Sequence, residues 1–431
     1  MSYKLNKYIY IKEKNNTIVI YNLLNRIIFA LTRDNYYALI NQDLENLQKN
    51  KPTLFNAMYK LGIIVPDFFN ELDYVKTMNR KVIFDRKQYR LTINPTLECN
   101  FHCWYCYENH PKGHMNKNTI QSIINHITLN IQERNLQSLL IDWFGGEPLI
   151  YFDEVIYPLT IELQKLLNKH QINLLNSITT NGYLINEKRA KLFEILGITN
   201  FQITLDGNQT THDKIRFLKN REGTFQTIID NINLLSEYRK NTIMVRINYT
   251  QETLKDINEI VNCFSQKAKS KICIAFQQVW QDSFHKYVSA EDNKEYFKAN
   301  GFNVDFFELN TKFHVCYADK INQAVINYDG RVFKCTARNF TTHPHDGILL
   351  SDGKIDWNIL TYSKRFGNAT FENEYCINCS LLPVCMGPCS QKMMEFNRND
   401  DFQSFCLKMG IEEVIEQHIE QHYQSINQID K

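Results

Sequence analysis

The sequence lacks three features that each mark a class of protein. It has no apolar run of the ~18 residues that a membrane-spanning helix needs, so we expect no membrane partner. Its first residues lack the apolar core of a secretory signal, which predicts a cytoplasmic protein. Its net charge is only +2, which gives no electrostatic reason to expect a nucleic-acid partner.

The composition is otherwise that of a globular protein with many cysteines. Hydrophobic residues make up 43% of the chain and charged residues 22%. A chain of 431 residues exceeds one average core, so two or three domains are expected. The twelve cysteines are tightly clustered, and in a reducing compartment this pattern favours metal binding over disulfides.

The first part of the chain predicts a small α+β domain. Three strand patterns at residues 7–13, 17–23 and 26–31 precede three helical patterns and a last short strand before Pro66. The helices are expected at residues 34–40, 43–48 and 53–61, and the last strand at residues 63–65. This order suits a winged-helix-like domain, which occupies residues 1–87 together with a charged linker at residues 67–87.

From residue 88 to residue 304, strand and helix patterns alternate six times. Such βα units favour an α/β fold with a parallel sheet or a partial (β/α)6 barrel, because parallel strands need helical crossovers. The active site is then expected at the carboxyl ends of the strands. Expected strands are residues 90–94, 138–143, 172–179, 200–205, 242–249 and 272–277, and expected helices are residues 117–133, 153–168, 187–196, 224–238 and 252–268.

Residues 305–431 differ in character from the preceding segment. Cysteines and turn residues become dense and the helical patterns shorten. This composition predicts a small domain that metal centres stabilise, followed by a final helix at residues 410–424.

The first cysteine group follows the first strand of the βα series. Cys99, Cys103 and Cys106 are separated by three and then two residues, a spacing that can wrap one corner of a 4Fe–4S cluster. Three thiolates leave the fourth iron open to a chelating ligand. The alternative is a zinc site, in which His102 or His110 would supply the fourth ligand.

This Cys-x3-Cys-x-aromatic-Cys spacing resembles the signature of the radical S-adenosylmethionine (SAM) superfamily. The resemblance implies that Cys99, Cys103 and Cys106 are catalytic metal ligands and that SAM chelates the open iron. It further implies that one electron cleaves SAM to methionine and a 5′-deoxyadenosyl radical, which removes a hydrogen atom from the substrate. An electron donor such as flavodoxin or ferredoxin is then a required partner.

Four later motifs resemble the SAM-binding loops of the same family, and they occur in order after successive strands. In the first, two glycines permit close approach of the backbone, and Glu147 offers an acceptor that the resemblance assigns to the methionyl amine. In the last, which comprises residues 212–216 and residues 223–225, Arg216 is assigned to the SAM carboxylate. Taken singly, each motif also fits ordinary turn chemistry. The cofactor-binding candidates are Tyr105, Gly145, Gly146, Glu147, Pro148, Thr180, Asn181, Asp206 and Arg216, with Arg246 and Asn248 as further candidates.

Seven cysteines follow in the C-terminal segment. The Tyr328-Asp329-Gly330-Arg331 turn between apolar runs predicts a two-residue hairpin with a positive φ at Gly330, which would bring Cys316 and Cys335 toward one metal. The seven positions resemble a SPASM domain with two auxiliary 4Fe–4S clusters, and structural zinc is the alternative. The resemblance implies one cluster on Cys376, Cys379, Cys385 and Cys406, and another on Cys316, Cys335 and Cys389, with His314 as the one further donor nearby.

Two cysteines belong to no group. Cys263 and Cys273 lie in an expected helix and strand, and buried inert thiols explain them best.

The N-terminal pattern and the SPASM resemblance together predict a peptide substrate. Residues 1–66 resemble the peptide-recognition element of maturases of ribosomally made natural products, which bind a leader peptide as an added strand. We therefore expect an enzyme that installs a cross-link or related modification in a precursor peptide. The alternatives are a small-molecule substrate, a zinc-stabilised binding module, and a sulfatase maturase, which Thr336 disfavours because those enzymes carry an Asp base there.

Overall fold

The computed structural model describes residues 1–41, 43–281, 288–304, 315–395 and 402–423. Within these residues the fold is mixed α/β, with sheets of two, three and eleven strands. The chain forms two compact units: Met1–Asp85 with Phe307–Ile321 and Leu360–Lys431, and Arg86–Phe306 with Asn322–Ile359. Residues 322–359 thus share a unit with the βα series, and the expected division at residues 87 and 304 stays a prediction.

The N-terminal segment contains the expected three strands and three helices, each within two residues of its predicted bounds. Strand β1 was not expected; it pairs with β5, and β2, β3 and β4 form an antiparallel sheet in that order. The elements are β1 (Tyr3–Leu5), β2 (Ile9–Lys14), β3 (Thr17–Asn22), β4 (Ile28–Thr32), α1 (Arg33–Asn41), α2 (Leu44–Asn50), α3 (Pro52–Lys60), β5 (Ile64–Pro66) and α4 (Glu71–Ile83).

Strand β3 buries side chains on both of its faces. Ile18 and Ile20 belong to the core that α1, α2 and α3 cover, whereas Val19 and Tyr21 belong to a second core that also contains Ile415. Successive side chains of a strand point to opposite faces, so one run of apolar residues serves both cores. The three-stranded sheet is therefore the middle layer of the first unit.

Residues 67–87 are not the linker that we expected, because α4 occupies most of them. Asn70 caps this helix by accepting hydrogen bonds from two amides of the first turn. Val75, Asn79 and Ile83 recur every four residues and are buried, which gives the helix one face toward the core. Of the charged residues in the helix, Glu71 is buried, whereas Asp73, Arg80 and Lys81 are exposed.

In the second unit the strands from β6 to β12 are all parallel and adjacent in chain order. The six expected strands are β6 to β11. The elements are β6 (Gln88–Ile93), α5 (Lys117–Arg134), β7 (Ser138–Trp143), α6 (Tyr157–Lys169), β8 (Asn173–Thr180), α7 (Glu187–Ile195), β9 (Ile198–Leu205), α8 (Gln209–Ile215), α9 (Phe225–Ser236), β10 (Thr242–Tyr249), α10 (Gln266–Lys271), β11 (Ile272–Gln278), α11 (Glu291–Ala299) and β12 (Asn303–Val304), with a π-helix at Phe152–Ile156 and 3-10 helices at Pro148–Tyr151 and Ile257–Cys263.

The alternation of side chains along these strands separates the core from the site. In β10, Ile243, Val245 and Ile247 are fully buried in the main core of the unit. Arg246 and Asn248 therefore lie on the opposite face of the sheet. The carboxyl ends of the same strands carry the loops in which the motifs occur.

The prediction of a single helix at residues 252–268 is wrong. A 3-10 helix, Ile257–Cys263, and the short helix α10 replace it. The Asn233 side chain donates to the carbonyl of Cys263 and accepts from the amide of Ser265, and Ser265 then caps α10. Side-chain hydrogen bonds of this kind compete with the helix ladder and break it at residue 264.

Four further strands extend the sheet beyond β6: β13 (Gln323–Ile326), β14 (Arg331–Phe333), β15 (Gly347–Leu349) and β16 (Ile355–Trp357). Strand β13 is parallel to β6, and the others follow antiparallel. The expected hairpin joins β13 to β14, and Gly330 has the expected positive φ of 84°. The Asn327 amide donates to the Arg331 carbonyl, so the loop has three residues rather than two.

The C-terminal part of the first unit is a series of short helices and one long one. The elements are a 3-10 helix at Tyr317–Asp319, α12 (Ile359–Gly367), α13 (Glu374–Ile377), α14 (Leu382–Cys385), α15 (Ser390–Glu395), a 3-10 helix at Phe402–Phe405 and α16 (Lys408–His422). Helix α16 is the expected final helix, and His314 lies outside the described residues. Across the described part of the chain, no helix has both the length and the apolar character to span a membrane.

Candidate functional site

Nine of the twelve residues expected to hold the first cluster and SAM line one cavity of about 150 Å³ in the second unit. Its walls come from the loops after β6 and β7, from the ends of β8 and β9, and from the residue after α8. This is the carboxyl edge of the parallel strands, where such sheets bind ligands. The expected residues on the wall are Cys99, Cys103, Tyr105, Cys106, Gly145, Gly146, Thr180, Asn181 and Arg216; Glu147, Pro148 and Asp206 are buried but do not line the cavity.

The loop after β6 brings the three cysteines of the first group to this wall. A turn hydrogen bond joins the Cys106 amide to the Cys103 carbonyl, and the amide of Phe101 donates to Cys99 Sγ at 3.4 Å. Burial raises the pKa of Cys99 to about 12 and that of Cys103 to about 11, so both remain thiols until a cationic centre displaces their protons.

His110 contacts this loop, as the zinc alternative would require. Its Nε2 lies 3.4 Å from Cys106 Sγ, and its Nδ1 lies 2.9 Å from the Leu97 carbonyl. Across residues 1–41, 43–281, 288–304, 315–395 and 402–423, however, no three Cys, His, Asp or Glu side chains are spaced for a single metal ion. The metal bound by the three cysteines stays a prediction.

Gly145 and Gly146 are required for packing within the protein. A Cβ on Gly145 would lie 2.3 Å from the Thr96 carbonyl, and one on Gly146 would lie 2.3 Å from the Leu97 carbonyl. These contacts clamp the loop after β7 onto the cysteine loop. We expected the two glycines to let the backbone approach a ligand. In the structure they let it approach the protein's own backbone.

Glu147 is turned into the protein. Its Oε1 accepts hydrogen bonds from Thr180 Oγ1 at 2.8 Å and the Leu149 amide at 3.0 Å, and its Oε2 accepts one from the Asn181 amide at 2.7 Å. Burial raises the pKa of this carboxyl, and the three hydrogen bonds oppose that shift. The geometry thus makes Glu147 the link between the loop after β7 and the end of β8.

Arg216 fits a carboxylate ligand in the cavity. The residue is only 8% exposed, and its Nε has no hydrogen-bond partner in the described part of the chain. Burial disfavours the charged guanidinium, but nearby Cys103, Tyr105 and Asp206 outweigh this effect and hold the pKa well above its ordinary value. A buried cation with an unused N–H on a cavity wall is suited to a bound anion, so the residues present fit SAM.

The Tyr105 hydroxyl links Arg216 to two other polar side chains, Asp206 and Asn248. It donates to Asp206 Oδ2, and it accepts from Arg216 Nη1 at 2.7 Å and from Asn248 Nδ2 at 3.2 Å. Arg246 in turn donates to Asn248 Oδ1 at 2.9 Å. Asn248 and Arg246, which were further candidates, therefore belong to the network that supports Arg216.

The remaining residues of the last motif hold Arg216 in place. Asp213 Oδ1 accepts from the amides of Thr224 at 2.7 Å and Phe225 at 2.9 Å, and a Cβ on Gly223 would lie 2.5 Å from Asp213 Oδ2. Thr224 Oγ1 donates to the Arg216 carbonyl at 2.6 Å. The motif is therefore a scaffold for one ligand-facing residue.

Sequence reasoning missed Glu108, which lines the same cavity. Its side chain is 8% exposed, and Oε2 has no hydrogen-bond partner within the described ranges. Burial raises the pKa of this carboxyl to about 8. The only signal in the sequence was a charged residue two positions after the third cysteine, and nothing in the pattern showed that it would be buried.

Four cysteines in the first unit lie close together. Burial raises the pKa of Cys385 to about 11, with further contributions from the neighbouring Cys376, Cys379 and Cys406. Burial likewise raises the pKa of Cys376, with contributions from Cys379 and Cys406. These are the four cysteines that the SPASM resemblance assigned to one auxiliary cluster.

The other predicted groups remain untested. Cys316 and Cys389 belong to the first unit and Cys335 to the second, so their grouping stays a prediction. Cys263 ends a 3-10 helix, and Cys273 lies in β11, both partly buried.

The comparisons with known proteins point to the same superfamily as the sequence motifs. Residues 93–264 match the family model described as the radical SAM superfamily. The chain is 27% identical over 361 residues to the cysteine-type anaerobic sulfatase-maturating enzyme of Clostridium novyi (strain NT), covering 74% of this chain and 93% of the relative. It is 23% identical over 381 residues to the radical SAM cyclopropyl synthase TigE of Paramaledivibacter caminithermalis, covering 78% of this chain and 76% of the relative.

Solved structures share the fold over most of the chain. The structure of anSMEcpe with bound AdoMet matches with a TM-score of 0.56 and 19% identity, covering 79% of this chain and 100% of that one. The structure of Streptococcus suis SuiB bound to precursor peptide SuiA matches with a TM-score of 0.51 and 17% identity, covering 92% of this chain and 97% of that one. At these identities the likeness concerns the fold.

Proposed function

Since the chain is an enzyme of the radical SAM superfamily, we propose that it is a peptide maturase that installs a cross-link or related modification in a ribosomal precursor peptide. The observation that carries this proposal is the cavity in which three cysteines, a buried arginine and the loops of the SAM motifs meet. The relative named above as a sulfatase-maturating enzyme supports the peptide substrate.

Cys99, Cys103 and Cys106 are proposed to hold a 4Fe–4S cluster. When bound, cluster and SAM together supply a 5′-deoxyadenosyl radical that removes a hydrogen atom from the substrate. Arg216 then pairs with the SAM carboxylate through its unused N–H, and Tyr105 and Asp206 keep the guanidinium charged and oriented. An electron donor such as flavodoxin or ferredoxin supplies the reducing electron.

Two auxiliary 4Fe–4S clusters complete the proposed cofactor set. The proximity of Cys376, Cys379, Cys385 and Cys406 supports the first of them. The second is assigned to Cys316, Cys335 and Cys389 through the SPASM resemblance. Because none of the twelve cysteines, all within the described residues, forms a disulfide, we propose the cytoplasm as the compartment.

The N-terminal sheet is the proposed recognition site for the leader of the precursor peptide. Strands β2 and β4 are its two edges, and a sheet edge offers main-chain hydrogen bonds to an added strand. SuiB, whose solved structure contains a precursor peptide, shares the fold over 92% of this chain. The likeness supports a substrate of the same chemical class.

Sulfatase maturation is the second candidate function. The relative from Clostridium novyi favours it, because the match spans 93% of that enzyme. Thr336 opposes it, since the base of those enzymes has no carboxylate counterpart at this position. A small-molecule substrate is the remaining alternative within the superfamily.

The test is an anaerobic incubation of the reconstituted protein with SAM, a reductant and a candidate precursor peptide, followed by mass spectrometry. We expect 5′-deoxyadenosine and a peptide that is lighter by about two hydrogens, which is the mass change of a cross-link. A sulfatase peptide converted in place of the precursor would select the second candidate. Absence of 5′-deoxyadenosine with every substrate would contradict the activity itself.

A further inference from the structure

The cavity contains one carboxylate that the protein does not use. Both carboxylate oxygens of Glu147, the acidic residue of the glycine-rich motif, already accept hydrogen bonds from Thr180, Asn181 and Leu149. Glu108 lines the cavity at 8% exposure, and its Oε2 has no hydrogen-bond partner within the described residues. Buried polar atoms are nearly always paired, so an unpaired one on a cavity wall is available to a bound molecule.

The position of Glu108 is fixed by its neighbours on both sides. The Tyr107 hydroxyl donates to the Thr336 carbonyl at 3.2 Å, and Asn109 Nδ2 donates to Thr341 Oγ1 at 2.9 Å. Both partners belong to the same compact unit. The segment is therefore anchored at residues 107 and 109, and the carboxylate between them remains on the wall of the cavity.

We propose that Glu108 is a binding residue of this cavity and that its Oε2 accepts a hydrogen bond from an ammonium or hydroxyl group of the bound molecule. The inference rests on the proposed function, which places SAM and the substrate in the cavity. Arg216 on the same wall complements a carboxylate, and Glu108 complements a positive or hydroxylic group. The pair provides a cation and an ionisable carboxyl for one polar ligand.

The source of the donor group is either SAM or the substrate, and two variants distinguish them. Glu108→Gln keeps the size of the side chain but cannot ionise, and Glu108→Leu removes the acceptor. Glu71→Gln is the matched control, because Glu71 is also buried but accepts from Lys4 and from the Lys7 amide in the first unit. Each variant is purified anaerobically and compared with the wild type.

Three quantities are measured: the thermal midpoint, the affinity for SAM, and the modified peptide formed per 5′-deoxyadenosine. We expect Glu108→Leu to raise the thermal midpoint by a few degrees, because an unpaired carboxyl leaves the interior. Glu71→Gln should lower the midpoint and leave the SAM affinity unchanged. If SAM is the source, both Glu108 variants weaken its binding at least tenfold; if the substrate is the source, SAM binding persists and the peptide yield falls at least tenfold.

Two results would overturn the inference. One is a lower thermal midpoint in both Glu108 variants, because the carboxylate would then stabilise the protein itself. The other is wild-type SAM affinity together with a wild-type peptide yield. Failure of the proposed function is distinct, because the wild type itself would then form no modified precursor peptide.

Discussion

At the scale of single residues, the cavity depends on side chains that orient other side chains. The Tyr105 hydroxyl contacts Asp206, Arg216 and Asn248, so one phenol fixes the guanidinium that faces the cavity. Asp206 is 1% exposed, and its Oδ1 has no hydrogen-bond partner within the described ranges. The hydrogen bond that Tyr105 donates to Oδ2 is therefore important for stabilising this buried carboxyl. Loss of a single hydroxyl should therefore affect both binding and stability.

Replacement of Tyr105 with Phe tests this dependence. The variant leaves a buried acceptor and a buried donor without their shared partner, at a cost of about 1–3 kcal/mol in the free energy of unfolding. We expect SAM to bind about tenfold more weakly at unchanged iron content, as measured by anaerobic titration. The control is Tyr249→Phe, which removes a hydroxyl that donates to the Val288 carbonyl in the same unit. Equal SAM affinity in the two variants would exclude the proposed role of Tyr105.

The sequence predicts which residues reach the cavity better than it predicts what their side chains do there. Nine of the expected residues line the wall because loop positions after successive strands are read directly from the pattern. The direction of a carboxylate is not encoded in that pattern. Glu147 turns inward to Thr180 and Asn181, whereas Glu108 faces the cavity, and only the packed structure distinguishes them.

At the scale of elements, alternation and capping determine what the sequence reveals. The parallel strands were predictable because buried and half-buried positions alternate along them, as in β10. Helix α4 was missed because the charged residues of the segment suggested a linker, although Asn70 marks the start of the helix. The helix expected at residues 252–268 fails because Asn233, distant in sequence, supplies competing hydrogen bonds to its backbone.

Helix α5 is attached to neighbouring elements through a buried histidine. His126 Nδ1 lies 2.6 Å from the Gly353 carbonyl in the turn between β15 and β16, and Nε2 lies 2.7 Å from the Tyr89 hydroxyl of β6. Burial lowers the pKa of His126 to about 4, from an ordinary value of 6.5. The native state therefore holds this histidine neutral across the mildly acidic range.

This shift predicts a specific dependence of stability on pH. Between pH 6.5 and pH 4 the unfolded chain binds a proton at His126 that the folded chain does not, so stability falls as the pH is lowered. At pH 5.5 the loss relative to pH 7.5 is about 1.4 kcal/mol. Urea unfolding of the wild type and of His126→Gln at both pH values measures it. The variant should be less stable at pH 7.5 but lose about that much less on acidification, and parallel pH profiles would contradict the assignment.

At the scale of the whole molecule, the cysteines fall into groups with different surroundings. The first group lines a cavity in the second unit, while Cys376, Cys379, Cys385 and Cys406 lie together in the first. That unit also contains the N-terminal sheet, whose Val19 and Tyr21 share a core with the C-terminal helix. The chain ends therefore form one unit, an arrangement that the linear order of the motifs did not reveal.

The measurement that tests the account most directly is the electron paramagnetic resonance spectrum of the reduced, oxygen-free protein before and after addition of SAM. We expect SAM to change the spectrum in the wild type and in Cys376→Ala, because both retain the cluster held by Cys99, Cys103 and Cys106. We expect no such change in Cys103→Ala, which lacks one of those ligands. A wild-type spectrum that SAM leaves unaltered would exclude SAM binding at this cluster.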